Sequence, residues 1–414
     1  MLVEFAVENF KSIRDEARLN LVAGRGDEQR DTHLVKPELS GGAHNEPLVR
    51  SAAIYGANAA GKSNLVNALA TMKYIVTRSS ADLDELPVTP FRLDPECEDE
   101  ATMLEVLFIT EGVRYQYGFR ATRHHVTDEW LFAWPRGRVQ VWFERTAKAW
   151  KFGPNLTGDK KVWQRATRPN ALYLSTAVSL NSRQLRPIHN WFKKRLQVAD
   201  ARGWTKAYSM SWCQDQRKNE IVDFLNVADL GIADVRVVEK EFQPGQLQGD
   251  VDPDWKHLVE KLAGKKISEL RLTHDTGKSL PNELQLEDES DGTQRIFALA
   301  GPWLDSLKNG NVIVFDELHA SLHPALVRFL VDQFHDPRLN AKGAQLVFTT
   351  HDTSILNQEV FRRDQIWFCE RNEKQETRLF PLTDFSPRKG LENLERSYLG
   401  GRYGALPFVE HRIQ

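Results

Sequence analysis

Residues 56–63 read GANAAGKS and satisfy every fixed position of the pattern G-x-x-x-x-G-K-[ST]. A short apolar run precedes them and a helical pattern follows, which is the context that this phosphate-binding loop requires. The glycines allow the backbone to curl so that its amides and the positive end of the helix face phosphate oxygens. Lys62 is predicted to bridge the β- and γ-phosphates of ATP, and the Ser63 hydroxyl is predicted to be a ligand of Mg²⁺. The predicted nucleotide-binding residues of this segment are Gly56, Asn58, Gly61, Lys62, Ser63 and Asn64.

Two carboxylates follow the apolar run at residues 312–315. A strand buried on both faces explains the apolar run, but it does not explain two acids at its carboxyl end, where ligands of open α/β sheets bind. Beside a phosphate-binding loop, Asp316 is predicted to hold the magnesium ion through water. Glu317 is predicted to polarise the water that attacks ATP. The alternative is a solvated strand end.

A third strand pattern, residues 345–348, leads through two threonines to His351. At such a position a histidine can hydrogen-bond the γ-phosphate or position the water, and we expect this role for His351. His319 and His323 lie four residues apart, which suggests zinc. However, Glu does not follow His319, Pro324 interrupts the helix and no third ligand is spaced nearby, so metal-protease chemistry is disfavoured.

The stretch ESDGTQR at residues 289–295 joins an acidic run to an apolar helix. Ser290 and its neighbours can simply cap that helix, because their side-chain oxygens accept hydrogen bonds from unpaired first-turn amides. Ser290, the backbone at Gly292 and the helix N-terminus can equally form an anion site. The sequence pattern alone leaves both interpretations open.

The elements that must position these residues alternate between strand and helix, which predicts a mostly parallel α/β core sheet. Residues 2–7 and 17–22 are predicted to pair as antiparallel strands. The expected organisation is one ATPase domain with four parts. They are an N-terminal β lobe carrying the loop (1–150), an inserted, mainly helical lobe (151–285), a core with the catalytic motifs (286–385) and a C-terminal tail (386–414).

Composition restricts the protein class further. With 414 residues and a formal charge of -2, the chain has no overall field that would draw it to nucleic acid or anionic lipid. Its three cysteines are widely spaced, which argues against a disulfide framework or a cysteine zinc site. The start lacks the pattern of a signal peptide and no apolar stretch spans a bilayer, so we expect a soluble cytoplasmic protein without membrane contact.

Together, these motifs resemble the ATP-binding-cassette (ABC) ATPase heads of the SMC, RecF and OLD kind. The resemblance rests on NFKSI at residues 9–13, GANAAGKS, SDGTQR, VIVFDE with LHP, and TTHD. It implies that ESDGTQR is a signature loop, with Ser290, Gly292 and Thr293 closing on the γ-phosphate held by a second copy. A homodimer or higher oligomer would then enclose two ATP molecules. One chain does not need two anion sites, which also favours a nucleotide carried by another copy.

The tail LENLERSYLGGRYGALP, residues 391–407, is similar to the ending of stand-alone AAA15/AAA21-type ATPases of bacterial phage-defence operons, the AbiL and RloA-like group. This similarity implies an ATPase switch that controls a separately encoded effector, often a TOPRIM-type nuclease, in response to a phage protein or nucleic acid. Its Tyr and Arg residues are typical interface anchors. Packing of the tail on its own domain is the alternative.

Two other functions compete with the switch. A DNA-repair ATPase of the RecF or SMC kind would act on DNA itself, and the basic clusters at residues 193–195 and 261–266 are candidate contacts. The chain lacks long coiled-coil arms, which argues against chromosome tethering. A nuclease is the third possibility, but only 63 residues follow His351 and no acidic metal motif is evident there.

Overall fold

A computed structural model of the chain describes residues 1–40, 46–81, 83–228, 230–241, 266–274 and 282–407. The strands are β1 (Leu2–Glu8), β2 (Ala17–Asn20), β3 (Leu34–Val35), β4 (Leu48–Val49), β5 (Ser51–Tyr55), β6 (Thr102–Thr110), β7 (Val113–Ala121), β8 (Val126–Trp134), β9 (Gln140–Arg145), β10 (Trp150–Phe152), β11 (Leu196–Ala199), β12 (Ile232–Glu241), β13 (Lys266–His274), β14 (Asn282–Gln285), β15 (Val312–Phe315), β16 (Gln345–Thr349), β17 (Ile366–Arg371) and β18 (Thr377–Pro381).

The helices are α1 (Arg30–His33), α2 (Lys62–Arg78), α3 (Pro95–Glu98), α4 (Lys160–Ala166), α5 (Tyr173–Ser179), α6 (Arg186–Asn190), α7 (Ala207–Cys213), α8 (Lys218–Val227), α9 (Asp291–Asn309), α10 (Pro324–His335) and α11 (Leu394–Leu399). In the described parts of the chain, no helix is both long and apolar enough to cross a bilayer. The chain divides into a first unit, Met1–Arg202 with Asp305–Gln414, and a second unit, Gly203–Leu304.

The first unit contains a seven-stranded sheet of order β10-β9-β8-β7-β6-β1-β2. β1 pairs antiparallel with both β2 and β6, which confirms the strand pair predicted at the N-terminus. The apolar face of this sheet buries large side chains, among them Phe5, Phe108 and Tyr117. The Trp191 ring stacks on the Phe108 ring, with 4.3 Å between the two centroids. These buried aromatic contacts stabilise the β lobe.

The first unit also contains a six-stranded sheet of order β11-β15-β16-β5-β17-β18. All neighbouring pairs from β11 to β17 are parallel, and only β18 is antiparallel. The predicted parallel core is therefore confirmed. Because the carboxyl ends of parallel strands share one edge, the segments that follow β5, β15 and β16 lie together.

The second unit packs α7, α8 and residues 291–304 of α9 with an antiparallel sheet of order β12-β13-β14. Gly301 allows α7 to approach α9 closely, since a Cβ there would lie 3.0 Å from the Ser209 Cα. The Ser209 hydroxyl donates to Ala298 O at 3.1 Å and accepts from Gly301 N at 3.0 Å. These bonds fix α7 against α9.

Residues 151–285, predicted as a mainly helical lobe, contain helices α4–α8 but also β11 to β14 in their described part. β12 pairs antiparallel with β13, and Ile232 lies opposite His274, a partner distant in the sequence. Strand β17, after β16 in the core, was not predicted either, because the short buried run that begins at Ile366 precedes charged residues without a periodic pattern.

Candidate nucleotide-binding site

The loop between β5 and α2 has the conformation that its glycines permit. Gly61 has φ 104° and Ala59 has φ 63°. A Cβ on Gly61 would lie 2.0 Å from the Thr377 Oγ1 and 2.9 Å from the Ser12 Oγ. A Cβ on Gly56 would lie 2.2 Å from the backbone oxygen of Cys369. A side chain at either motif glycine would therefore collide with neighbouring atoms, and the positive φ of Gly61 also favours glycine.

Lys62 begins α2 and is buried, with 5% of its surface exposed. Its ammonium donates to the backbone oxygens of Gly56 at 2.6 Å and Ala57 at 2.9 Å. Burial lowers the pKa of Lys62, while the nearby Cys369, Glu317 and Asp316 act in the opposite direction. A phosphate would compensate the same desolvation more strongly, so this lysine is suited to an anionic ligand.

A hydrogen-bonded network beneath the loop uses residues from both ends of the chain. Ser12, from the NFKSI motif, lies 2.7 Å from the Thr377 Oγ1, and Thr377 donates to Ala60 O at 2.9 Å. Asn64, predicted to contact nucleotide, donates to the Ser12 Oγ at 2.6 Å. The Asn64 side chain thus stabilises the loop through Ser12. Asn58 and Ser63 are exposed at the loop tip and at the helix start.

Asp316 and Glu317 follow β15 and are linked by a threonine of the neighbouring strand. Thr349 donates to the Asp316 Oδ1 at 2.6 Å and accepts from the backbone amide of Glu317 at 2.8 Å. Asp316 and Thr349 are buried, and Glu317 has a left-handed φ of 53°. A non-glycine residue in that region is a strained conformation of the kind found at functional sites.

His351 is exposed after β16, and its ring packs edge-on against the His319 ring at 3.8 Å between centroids. The His319 Nδ1 lies 3.1 Å from the Thr350 Oγ1. His323 caps α10, accepting from Ala325 N at 3.2 Å through Nδ1. The two histidines spaced for zinc therefore have separate structural contacts. Within the described ranges, no group of three or more His, Cys, Asp or Glu side chains could hold a metal ion.

Oxygen ligands at the start of α2 and after the end of β15 fit Mg²⁺ rather than a softer metal. They are the exposed Ser63 hydroxyl and the carboxylate of Asp316, whose Oδ1 accepts from Thr349. Magnesium prefers oxygen ligands, and in nucleotide sites it uses few protein ligands together with substrate phosphates. The residues present therefore suit a magnesium–nucleotide complex.

Ser290 lies in the second unit and caps α9, accepting from Thr293 N at 3.2 Å. The Ser290 Oγ also lies 2.9 Å from the Thr293 Oγ1. Nearby acids have partners within this unit: Glu287 pairs with Lys206, and the His274 Nε2 lies 2.5 Å from Glu289. The capping interpretation is therefore realised, and Ser290 remains exposed at a helix N-terminus.

The C-terminal tail packs on its own unit. Tyr398 and Tyr403 are buried, with their rings stacked on Phe368 at 5.4 Å. The backbone oxygen of Ala405 accepts from Ala57 N at 3.0 Å, so the tail contacts the phosphate-binding loop directly. Of the two interpretations of the tail tyrosines, packing on the same domain is the one observed.

The sequence predicted no supporting role for six residues that have one in the structure: Ser12, Thr349, Cys369, Thr377, His319 and Ala405. Only two signals pointed towards them. NFKSI and TTHD were noted as motifs, but a hydroxyl that links two acids or braces a loop has no signature of its own.

Of the basic clusters, residues 261–265 lie outside the described part of the chain.

Comparison with known proteins identifies a family. The model described as "AAA domain, putative AbiEii toxin, Type IV TA system" matches residues 51–357. No curated protein matches the sequence.

Solved structures similar to this chain include two SMC head domains and a recombination mediator protein. The SMC head domain from Thermotoga maritima is 11% identical, with 92% of this chain and 98% of that chain covered and a TM-score of 0.39. The Smc head domain of Pyrococcus furiosus, bound to a ScpA domain, has 12% identity, coverage of 92% and 97% and a TM-score of 0.40. The recombination mediator RecF has 11% identity, coverage of 92% and 98% and a TM-score of 0.36. The strand order confirms the predicted α/β fold with a mostly parallel core sheet, and the family match identifies an AAA domain within it.

Proposed function

Because the chain belongs to this family of AAA domains, we propose that it is an ATP-hydrolysing switch that dimerises around ATP and controls a separately encoded effector in bacterial phage defence. The observation that carries the proposal is the shared sheet edge. It brings the GANAAGKS loop, Asp316 with Glu317, and His351 to the ends of three adjacent parallel strands. This constellation suits phosphoryl transfer to water.

In the proposed reaction, the loop amides and Lys62 hold the phosphates of ATP, and release of Lys62 from its two carbonyl acceptors accompanies binding. Ser63 and Asp316 would hold Mg²⁺, which offsets phosphate charge when bound. Glu317 accepts a proton from the attacking water, and Thr349 fixes the backbone that carries it. His351 donates to the γ-phosphate.

The second anion site belongs to a neighbouring copy in this proposal. Ser290, Gly292 and Thr293 would contact the γ-phosphate held by Lys62 of the other protomer. The N-terminus of α9 is partly exposed, and helix N-termini attract anions. A two-fold axis would then generate two equivalent composite sites. Closure of the dimer on ATP and its release after hydrolysis provide the two states that a switch needs.

Ser290→Asp separates capping from phosphate binding. Aspartate caps a helix as well as serine does, but its carboxylate would repel the γ-phosphate. We expect ATP hydrolysis to fall about a hundredfold with unchanged thermal stability. Wild-type hydrolysis in this variant would restrict Ser290 to its capping role.

Mixing two inactive variants tests the composite site. A Lys62→Ala chain and a Ser290→Asp chain form a heterodimer with one intact site, so hydrolysis should recover to about a quarter of the wild-type rate. No recovery on mixing would contradict sharing between copies. Glu317→Gln should retain ATP binding, slow hydrolysis and trap the dimer, which light scattering detects; an unchanged rate would remove Glu317 as the base.

The effector and the trigger are tested in cells. A TOPRIM-type nuclease is the proposed effector, and a phage protein or nucleic acid is the proposed trigger. The buried free thiols Cys97, Cys213 and Cys369 are compatible with the cytoplasmic location that we propose. Cells that express the chain with its gene neighbours should resist phage, and Glu317→Gln should abolish resistance. Equal resistance in both would argue for another role.

A further inference from the structure

A cavity of about 990 Å³ lies in the first unit beside β9, β10 and α4, and it shares no residue with the candidate nucleotide-binding site. We call it the basic cavity. Its volume matches that of small-molecule and cofactor sites. The residues that give it its chemical character are His124, His125, Arg145, Trp150, Lys161 and Arg165.

Among the residues that the structure describes, no carboxylate lines the basic cavity. Arg145 does not contribute free charge, because it lies 3.5 Å from the buried Glu129 and donates to Ala171 O at 2.8 Å. His124 is 3.8 Å from Glu85. The net positive charge of the cavity therefore comes mainly from α4.

Lys161 and Arg165 are exposed and lie one turn apart on α4. In the part of the chain that the structure describes, neither forms an ion pair, whereas exposed cations elsewhere, such as Lys151 with Glu144, do. Like charges four residues apart destabilise a helix. An anion between the two side chains would remove that repulsion.

An apolar wall faces the same space. Trp150 is half-buried, with the Arg145 guanidinium 4.7 Å from its ring, and Val126 and Pro169 also line the cavity. A ligand that suits this cavity carries negative charge at one end and a planar, weakly polar group at the other. Nucleotides combine a phosphate with such a group, and aromatic side chains with Arg recognise their bases.

We propose that the basic cavity binds a nucleoside phosphate unit, supplied either by single-stranded nucleic acid or by a free nucleotide. Lys161 and Arg165 contact the phosphate, and Trp150 contacts the base. This site is independent of the proposed hydrolysis of ATP, since no residue of the basic cavity belongs to the phosphate-binding loop.

Two probes distinguish the sources of the ligand. One is a fluorescein-labelled single-stranded decathymidylate, added to the full chain. The other is a fluorescent ADP analogue, added to the Lys62→Ala chain so that the phosphate-binding loop does not contribute. Binding of the first probe alone assigns the cavity to nucleic acid, and binding of the second assigns it to free nucleotides.

The double variant Lys161→Glu/Arg165→Glu should lower the affinity for the bound probe at least about tenfold at 0.1 M salt. For the decathymidylate, the milder pair Lys161→Gln/Arg165→Gln should reduce the slope of log affinity against log salt by about 1.4, because two phosphate contacts are lost. The milder pair also keeps the inference testable if charge reversal unfolds α4.

Lys342→Glu/Lys374→Glu is the matched control, since both side chains are exposed and neither lines the basic cavity. It should leave probe binding within about twofold of wild type after correction for net charge. An equal loss in the control and in the α4 variants, an unchanged affinity in the α4 variants or no binding of either probe would overturn the inference.

Discussion

Thr349 holds Asp316 and Glu317, the two acids proposed to act in ATP hydrolysis, and Thr349→Val tests whether their geometry depends on it. Valine preserves the shape of the buried side chain but cannot donate to Asp316 or accept from the amide of Glu317. The substitution thus leaves a buried carboxylate and a backbone N–H without the partner they share. The phosphate-binding loop and Lys62 are not touched.

The expected cost follows from the two lost bonds. An orphaned buried polar group costs about 1–3 kcal/mol, so the free energy of unfolding should fall by about 3 kcal/mol. Glu317 also loses the bond that holds its left-handed backbone, and displacement of a catalytic group by about 1 Å can cost a hundredfold in rate. We expect hydrolysis to fall by about that factor while the Kd for ATP changes little.

Urea unfolding, equilibrium ATP binding and steady-state hydrolysis together provide the assay. Thr176→Val is the matched control, because its buried hydroxyl donates only to the Leu172 carbonyl of its own helical segment. Thr349→Ser should restore much of the activity by returning the hydroxyl. The reasoning is refuted if Thr349→Val hydrolyses ATP as fast as Thr176→Val, or if ATP binding and hydrolysis decline equally.

Two further predictions concern the loop and a buried histidine pair. Gly61→Ala should lower the free energy of unfolding by at least about 2 kcal/mol and abolish ATP binding, because φ is 104° and the new Cβ would overlap Thr377; wild-type ATP affinity would contradict this. The His33 and His335 rings stack at 3.7 Å, and burial lowers the pKa of both. Below about pH 6.5, the ordinary pKa of histidine, the two histidines bind protons in the unfolded chain but not in the folded chain. Stability measured by urea should therefore fall with decreasing pH, by up to about 1.4 kcal/mol per pH unit for each ring. His335→Gln should flatten that dependence, and an equally steep profile in the variant would assign it to other groups.

Some features of this protein depend only on residue types that are close together in the sequence. The GANAAGKS loop, the acidic end of the strand at residues 312–315 and the alternation of strand and helix each follow from neighbouring residue types, and they predict the α/β core correctly. The buried strand β17 and the pairing of β12 with β13 could not be predicted in this way. Their stability comes from partners distant in the chain.

The sequence by itself determined which residue types are available for chemistry, because motif spacing and strand periodicity are local properties. Only the tertiary structure decided that Thr349 joins Asp316 to Glu317, that Asn64 braces the loop through Ser12, and that the tail tyrosines are buried. Each of these contacts closes a long loop of chain. Which residues meet in these contacts is therefore determined by the packing of the folded chain and not by proximity in the sequence.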